Sequence, residues 1–303
     1  MSSGIFSTDL VDTNLVESLT AADFDVWLLD ARFSTALPSS SVASDGDAVA
    51  EHDIPAAVRT VLDRTGTPSL QAVVHCYGAN TFFMAMLRGM PGVRSIVASQ
   101  VAAHLDTGPL TDLKTHGRVP SAVRLLRIRH LDASARRRPR QRMVRIADRA
   151  LRVFPPAPDG EGCRNASCRR ATGLYGPLWA HENLDAHLHD HLHELLGPAS
   201  LGVFCHLAAM VRAGHLVDAA GRDTYLPGVH HLLDVPIRLL HGERNGCYDP
   251  SSTERTERWL HAAGHTAVDR RVVPGHGHLD CIFGTRAADA VHPLIVEHLE
   301  VTS

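Results

Sequence analysis

Cys76 is the residue best placed for covalent chemistry, because it stands at a corner of the stretch Leu70 to Arg88, LQAVVHCYGANTFFMAMLR. Gln71 to His75 is short, apolar and β-branched, which suits a buried strand. Ala79 to Leu87 is a longer run of unbranched and aromatic apolar residues, which suits a buried helix. Between them Cys76, Tyr77 and Gly78 form a small-x-nucleophile-x-Gly turn, in which Val74 replaces the first Gly of GxSxG and Cys replaces Ser. A nucleophile at such a corner stands clear of its strand and close to the first backbone N–H groups of the next helix. There it can attack an acyl carbonyl while the Tyr77 N–H binds the developing oxyanion, with Gly78 as the second small residue of the turn.

A second register would align Gly78-Ala79-Asn80 with the Gly-x-nucleophile half of the motif, but Asn80 cannot attack a carbonyl. The register on Cys76 also leaves one helix and a return loop before the next strand candidate, Val93 to Ser99. A buried structural Cys at a strand end is the competing reading. Two later loops bear on it. Gly275 to Gly284, GHGHLDCIFG, follows the last strand candidate and offers His278 as the base for Cys76, with His276 as its rival. The loop GERNGCYDP puts Asn245 where an Asp orienting that His is expected, with Glu243 and Asp249 as fallback acids. Asn orients an imidazole without stabilising an imidazolium, which weakens a Ser nucleophile more than a Cys able to form a thiolate–imidazolium pair.

Composition narrows the partners. The chain has 303 residues, enough to bury the core of one large domain or one domain with an insertion. A formal charge of −3 gives no global attraction to nucleic acid or membrane. Arg supplies the positive charge almost alone, Lys114 being the single Lys, as in proteins of GC-rich bacteria. Neither a secretion signal nor an 18-residue apolar run is present, so a cytoplasmic protein with six reduced Cys is expected.

The elements that must position these residues follow from periodicity and turn signals. A helix is predicted over Asp12 to Ala22 with Asp12 as N-cap, then a short buried strand at Asp25 to Leu29, a loop from Thr35 to Asp47, and a helix over Ile54 to Arg64. Val235 to Gly242 reads as a buried strand, Ser252 to Ala263 as a helix, Val268 to Val273 as a strand and Arg286 to Leu299 as a closing helix. Strands alternating with helices at this spacing imply an α/β class with a mostly parallel sheet and helices on both faces. Strand candidates are sparse from Val101 to Leu233, which reads as a helical insertion at the carboxyl edge of the sheet, a natural lid. The predicted organisation is core over 1–101, lid over 102–234 and core again over 235–303.

Several separated segments, in order, resemble the α/β-hydrolase family. DVWLLDAR and HLDCIFG are similar to segments of acid lipases. HCYGANTFFMAML, VRSIVASQVAAH, CRRATGLYGPLWAH, MVRAGHLVD and PGHGHLDCIFG look more like the hydrolase-type domain fused to glucose–methanol–choline (cholesterol-oxidase-like) oxidoreductases. The resemblance implies an α/β-hydrolase fold and a Cys76, His278, Asn245 site acting on a hydrophobic, lipid- or steroid-sized ester, lactone or thioester. It also admits an acyltransferase, an acyl-carrier-bound substrate, or a non-catalytic domain that partners an oxidoreductase. The family's first strands and its HG-type oxyanion loop have no counterpart ahead of Asp12, so the sheet is expected to lack them, leaving Tyr77 and Ser2 to Gly4 as oxyanion donors.

Two further clusters carry chemistry-bearing residue types. His187, His189, His191 and His193 fall as i, i+4 pairs on a predicted helix, a spacing shared by metal ligands and by solvated stripes, and no HExxH accompanies them. Cys163 and Cys168 could join these His in a structural zinc site, although CxxxxC alone is a weak signal. No metal or other cofactor is assigned from the sequence. Arg136 to Arg152 is a basic segment that reads as a solvated helix face or a dock for an acidic partner.

Overall fold

The strands sort by sequence pattern into two groups. β1 (Leu70–His75), β2 (Val93–Ser99), β3 (His130–Asp132), β4 (Pro198–Ser200), β5 (Ile237–Gly242) and β6 (Val268–Val273) follow one another in the chain. In this computed structural model, which describes residues 1–116, 130–134, 163 and 165–303, the main sheet is parallel with order β1-β2-β5-β6. β3 and β4 form a separate antiparallel pair. Register places Val74 beside Ala98, Ser99 beside Leu240, and Gly242 beside Val273. The carboxyl ends of all four parallel strands therefore lie together.

Alternation along the strands decides which layer each side chain enters. Ile96 and Ala98 of β2 and Leu239 of β5 join one buried cluster, while Val97 and Leu240, one residue out of phase, join another. Both faces of the sheet are thus covered, and the central strands read as continuous apolar runs for that reason. Helices supply the two covers. α1 (Leu15–Ala21) starts at a reciprocal capping box: Glu17 N–H donates to Asn14 Oδ1, and the Glu17 carboxylate accepts from Asn14 N–H. The N-cap is therefore Asn14, not Asp12. α2 (Ile54–Thr65) ends at Gly66, whose φ of 70° is the left-handed closure that glycine permits. α3 (Tyr77–Leu87) is buried nearly all round, as its unbroken apolar sequence requires.

Between β2 and β5 the described residues form α4 (Pro109–His116), α5 (Ala166–Leu174), α6 (Ala186–Leu195) and α7 (Leu201–Ala213), with the β3–β4 pair. Arg136 to Arg152 lies outside the described residues. α8 (Ser251–Ala262) packs against β5 and β6, and α9 (His292–Val301) against β2 and α1. The closing helix is shorter than expected: residues 287–290 form a separate turn, and α9 begins afresh at His292 with Pro293 in its first turn.

The predicted strand at Asp25 to Leu29 is absent. The segment is irregular, with Trp27, Leu28 and Leu29 each close to half exposed. Among the described residues β1 pairs with β2 alone, so its other edge and this apolar segment line the same cavity without pairing. An apolar run forms a strand only where a partner edge lies within hydrogen-bonding distance. Thr35 to Asp47 likewise departs from a plain loop: it contains a 3-10 turn at Pro38–Ser41 and the start of a helix at Gly46.

Candidate active site

Cys76 extends the ladder of β1 by one bond, its N–H donating to Ser99 O at 3.1 Å, and then turns sharply with φ 55° and ψ −132°. Few side-chain-bearing residues occupy that region, and holding one there costs about 1–3 kcal/mol. The next residues form the first turn of α3, with Ala79 N–H and Asn80 N–H donating to Cys76 O. Cys76 is therefore the corner residue. Asn80 lies a turn inside the helix, its Nδ2 donating to Ala102 O at 2.8 Å.

Burial dominates the electrostatics of the thiol and pushes it up to about 11, while the Tyr77 N–H, the N-terminal ammonium and, least, the Tyr248 hydroxyl pull it down. Tyr77 fixes its ring between an edge-on Phe33 and the buried His206. Gly78 lines the cavity beside Cys76, and a Cβ there would meet nothing within 4 Å.

His278 is fully buried, and neither ring nitrogen has a hydrogen-bond partner among the described residues. Burial drives its ring well below the ordinary imidazole range, with His75 and His241 adding repulsion. His75 lies 4.8 Å away, ring centroid to ring centroid, and Tyr248 lies 5.6 Å away. Cys76 and His278 line the same cavity, but no hydrogen bond joins them. The expected thiolate–imidazolium pair is not the resting state, since burial favours the neutral form of both groups. His276 does not line the cavity, and its Nδ1 lies 2.9 Å from Pro274 O.

Asn245 is not hydrogen-bonded to His278. Its Nδ2 donates to Gln100 Oε1 at 2.9 Å, and its Oδ1 accepts from the Cys247 and Tyr248 N–H groups. These bonds shape the turn that precedes Tyr248, whose ring lies against His278. The fallback acids are equally committed, Glu243 accepting from Gly275 N–H and Asp249 from Ser251 N–H. Nor do the expected oxyanion donors near the N-terminus face the thiol freely: Ser3 N–H donates to Asp30 and Gly4 N–H to Ser2 Oγ.

What fixes the His278 loop is a buried carboxylate that the sequence reading did not single out. Asp280 accepts from Gly277 N–H at 3.0 and 2.9 Å, from Ala180 N–H at 3.3 Å and from Asn183 Nδ2 at 2.5 Å. Asn183 also donates to Gly275 O. Tyr248 and His75 were likewise missed, since neither belongs to a spacing pattern and only the fold brings them to Cys76.

The cavity over these groups has a volume of about 980 Å³. Its wall is mainly apolar, with Phe33, Leu131, Tyr175, Leu178, Val203 and Phe204 among the lining residues. Such a space suits a hydrophobic ligand of substantial size. In α6 the four His divide. His187 and His191 lie on the outer face with their rings tilted at 44° and centroids 4.4 Å apart, whereas His189 turns inward to Cys163. No helix among the described residues is long and apolar enough to cross a membrane.

Neither a protein-family profile nor a curated protein sequence matches the chain. Solved structures do. A lipase in its open form superposes with TM-score 0.56 at 15% identity, covering 95% of this chain and 84% of the other. The Paleococcus ferrophilus monoacylglycerol lipase gives 0.53 at 15% identity, covering 95% and 88%. A Mycobacterium tuberculosis protein provisionally named as a non-heme bromoperoxidase gives 0.51 at 13% identity, covering 95% and 85%. At such identities the likeness is one of fold, and these matches span more than one chemistry. The parallel sheet with its helices, the sharp strand–helix corner at Cys76 and the His278 loop after β6 together make this chain an α/β-hydrolase fold.

Proposed function

We propose that the protein is an acyl hydrolase that uses Cys76 as a covalent nucleophile on a hydrophobic ester, lactone or thioester. The observation that carries this reading is the strained corner conformation of Cys76, which turns a thiol into the same cavity as a buried histidine that has no hydrogen-bond partner among the described residues. Both groups are neutral at rest, so His278 takes the thiol proton as sulfur attacks the carbonyl carbon. The carbonyl π electrons move to oxygen, where the Tyr77 N–H can stabilise them. Collapse expels the alkoxide or thiolate, which recovers the proton from His278 and leaves an acyl-Cys76 thioester. Water then attacks that thioester with His278 as base, releasing the acid and the thiol. Another acceptor in place of water would make the same site an acyltransferase.

The test is turnover of activated acyl esters of increasing chain length. Cys76→Ala and His278→Ala should each abolish it without loss of the folded circular-dichroism spectrum, and unchanged turnover in either variant refutes the assignment.

A second reading is favoured by one observation: His278 has neither Asn245 nor a carboxylate bonded to it. The chain would then be a non-catalytic interaction domain serving an oxidoreductase, with the cavity as a binding site. Intact-mass measurement after exposure to an activated acyl thioester separates the two, because the enzyme forms an adduct on Cys76 and the binding domain forms none.

A further inference from the structure

We propose that Cys163, Cys168, His181 and His189 form a tetrahedral site for a zinc-type divalent cation, which fastens Cys163 and α5 to α6 and to the turn at His181–Asn183. One ligand atom from each of the four residues lies within 4.8 Å of all the others. Cys163 Sγ is 3.3 Å from His189 Nε2, and Cys168 Sγ is 3.3 Å from His181 Nε2. In a tetrahedral zinc site with ordinary Zn–S and Zn–N bonds the sulfur-to-nitrogen edge is about 3.6 Å, so these four atoms need shift little to surround an ion. The planes of the two imidazoles are inclined at 62°, with centroids 5.5 Å apart. Both present Nε2 to a sulfur.

The donor set selects the class of ion. Two thiolates and two neutral imidazoles suit zinc, and no carboxylate in the set invites calcium or magnesium. Two thiolates also balance the dication, so a half-buried site carries no net charge. Binding releases the two thiol protons, which ties affinity to pH. In sequence the four ligands read C-x4-C-x12-H-x7-H, close to a Cys2His2 spacing with a lengthened last interval. His187, His191 and His193 of the same helix play no part.

Neighbouring hydrogen bonds hold the ligands in place. Asn165 caps α5 by accepting from Ser167 and Cys168 N–H, and its Nδ2 donates to His189 O at 2.6 Å. One side chain therefore positions both a Cys and a His. On the other side, His181 stands two residues before Asn183, which bonds Asp280 and Gly275 in the His278 loop. A cation at these four residues would add a cross-link between α5, α6 and the turn at His181, which otherwise meet through the apolar contacts of Cys168, Ala171, Leu188 and Leu192. The inference stands whether or not Cys76 is catalytic.

The test uses the full chain, purified reduced without a metal-binding tag, stripped with chelator and titrated with zinc or cobalt against a chromophoric competitor. One equivalent should bind, and the cobalt form should show thiolate-to-metal charge transfer and a tetrahedral ligand-field spectrum. Cys163→Ser and His189→Ala should weaken binding by more than ~100-fold, the upper end of what losing an outer-shell partner costs. The double variant His187→Ala/His191→Ala should bind as the parent does. Absence of the thiolate–cobalt band in the parent overturns the proposal even if the variants fail to fold, as does binding that survives Cys163→Ser but is lost with His187 and His191.

Discussion

His75 and His278 face each other with ring centroids 4.8 Å apart, and Nε2 of each is buried with no hydrogen-bond partner among the described residues. Two imidazoles so placed cannot both be charged, and burial keeps both neutral.

Acid stability follows from that neutrality. Burial lowers His75 to about 3 and His104 and His241 to about 4, whereas an unfolded histidine titrates near ~6.5. Between these values the unfolded chain binds protons that the folded chain refuses. The stabilisation is therefore fully present above the unfolded value and is lost as pH falls towards the folded ones, at ~1.4 kcal/mol per pKa unit per group. Urea midpoints should fall steeply from pH 6.5 to 4.5, and His75→Gln should flatten the slope. A parent profile flat across that window would contradict the neutral cluster.

Thiol reactivity offers a second measurement. With burial pushing Cys76 up to about 11, its alkylation by iodoacetamide, followed by peptide mapping, should be slow at pH 7 and still rising at pH 10. A plateau below pH 8 would mean a preformed thiolate.

Tyr248→Phe isolates one contribution to that value. The hydroxyl favours the sulfur's anion, so its removal should slow Cys76 alkylation at fixed pH, by at most roughly tenfold, the ~1.5 kcal/mol of a single weak hydrogen bond to charge. Asn245→Ala should act in the same direction, because Asn245 shapes the turn before Tyr248. Equal rates in parent and Tyr248→Phe would remove the tyrosine from the site.

Asp280→Ala should destabilise the fold by about 3–5 kcal/mol in denaturant unfolding, the cost of stranding buried donors from Gly277, Ala180 and Asn183. Asp280→Asn retains an acceptor and should cost less. If Asp280→Ala left the midpoint unchanged, this carboxylate would not be what anchors the His278 loop.

The fold was legible wherever a pattern is local. β2 and β6 occupy the predicted residues, and the corner at Cys76 follows from an apolar strand, a turn and an apolar helix in immediate succession. Asp25 to Leu29 failed because strand formation needs a neighbour, which the run's own composition cannot report. Helix starts shifted for a similar reason: Asp12 and Asn14 are both good caps, and only the reciprocal bond with Glu17 decides between them. In the site, Cys76 and His278 carried signals in their loops. Tyr248, His75 and Asp280 carried none, since their roles come from tertiary proximity. Asn245 stood in the expected loop, yet its side chain is spent on the turn itself.

The backbone of Cys76 has one further implication, for how such a chain could change. At φ 55° the corner is a position where glycine alone sits at ease, so Cys76→Gly relieves about 1–3 kcal/mol of backbone strain against about 0.4–1 kcal/mol of added unfolded-chain entropy, a net gain for the fold wherever the strain is the larger. A lineage with no use for a reactive group at that corner would have a single-codon route to a more stable protein. The strained cysteine is thus a standing liability whose removal can be measured as a gain in melting temperature.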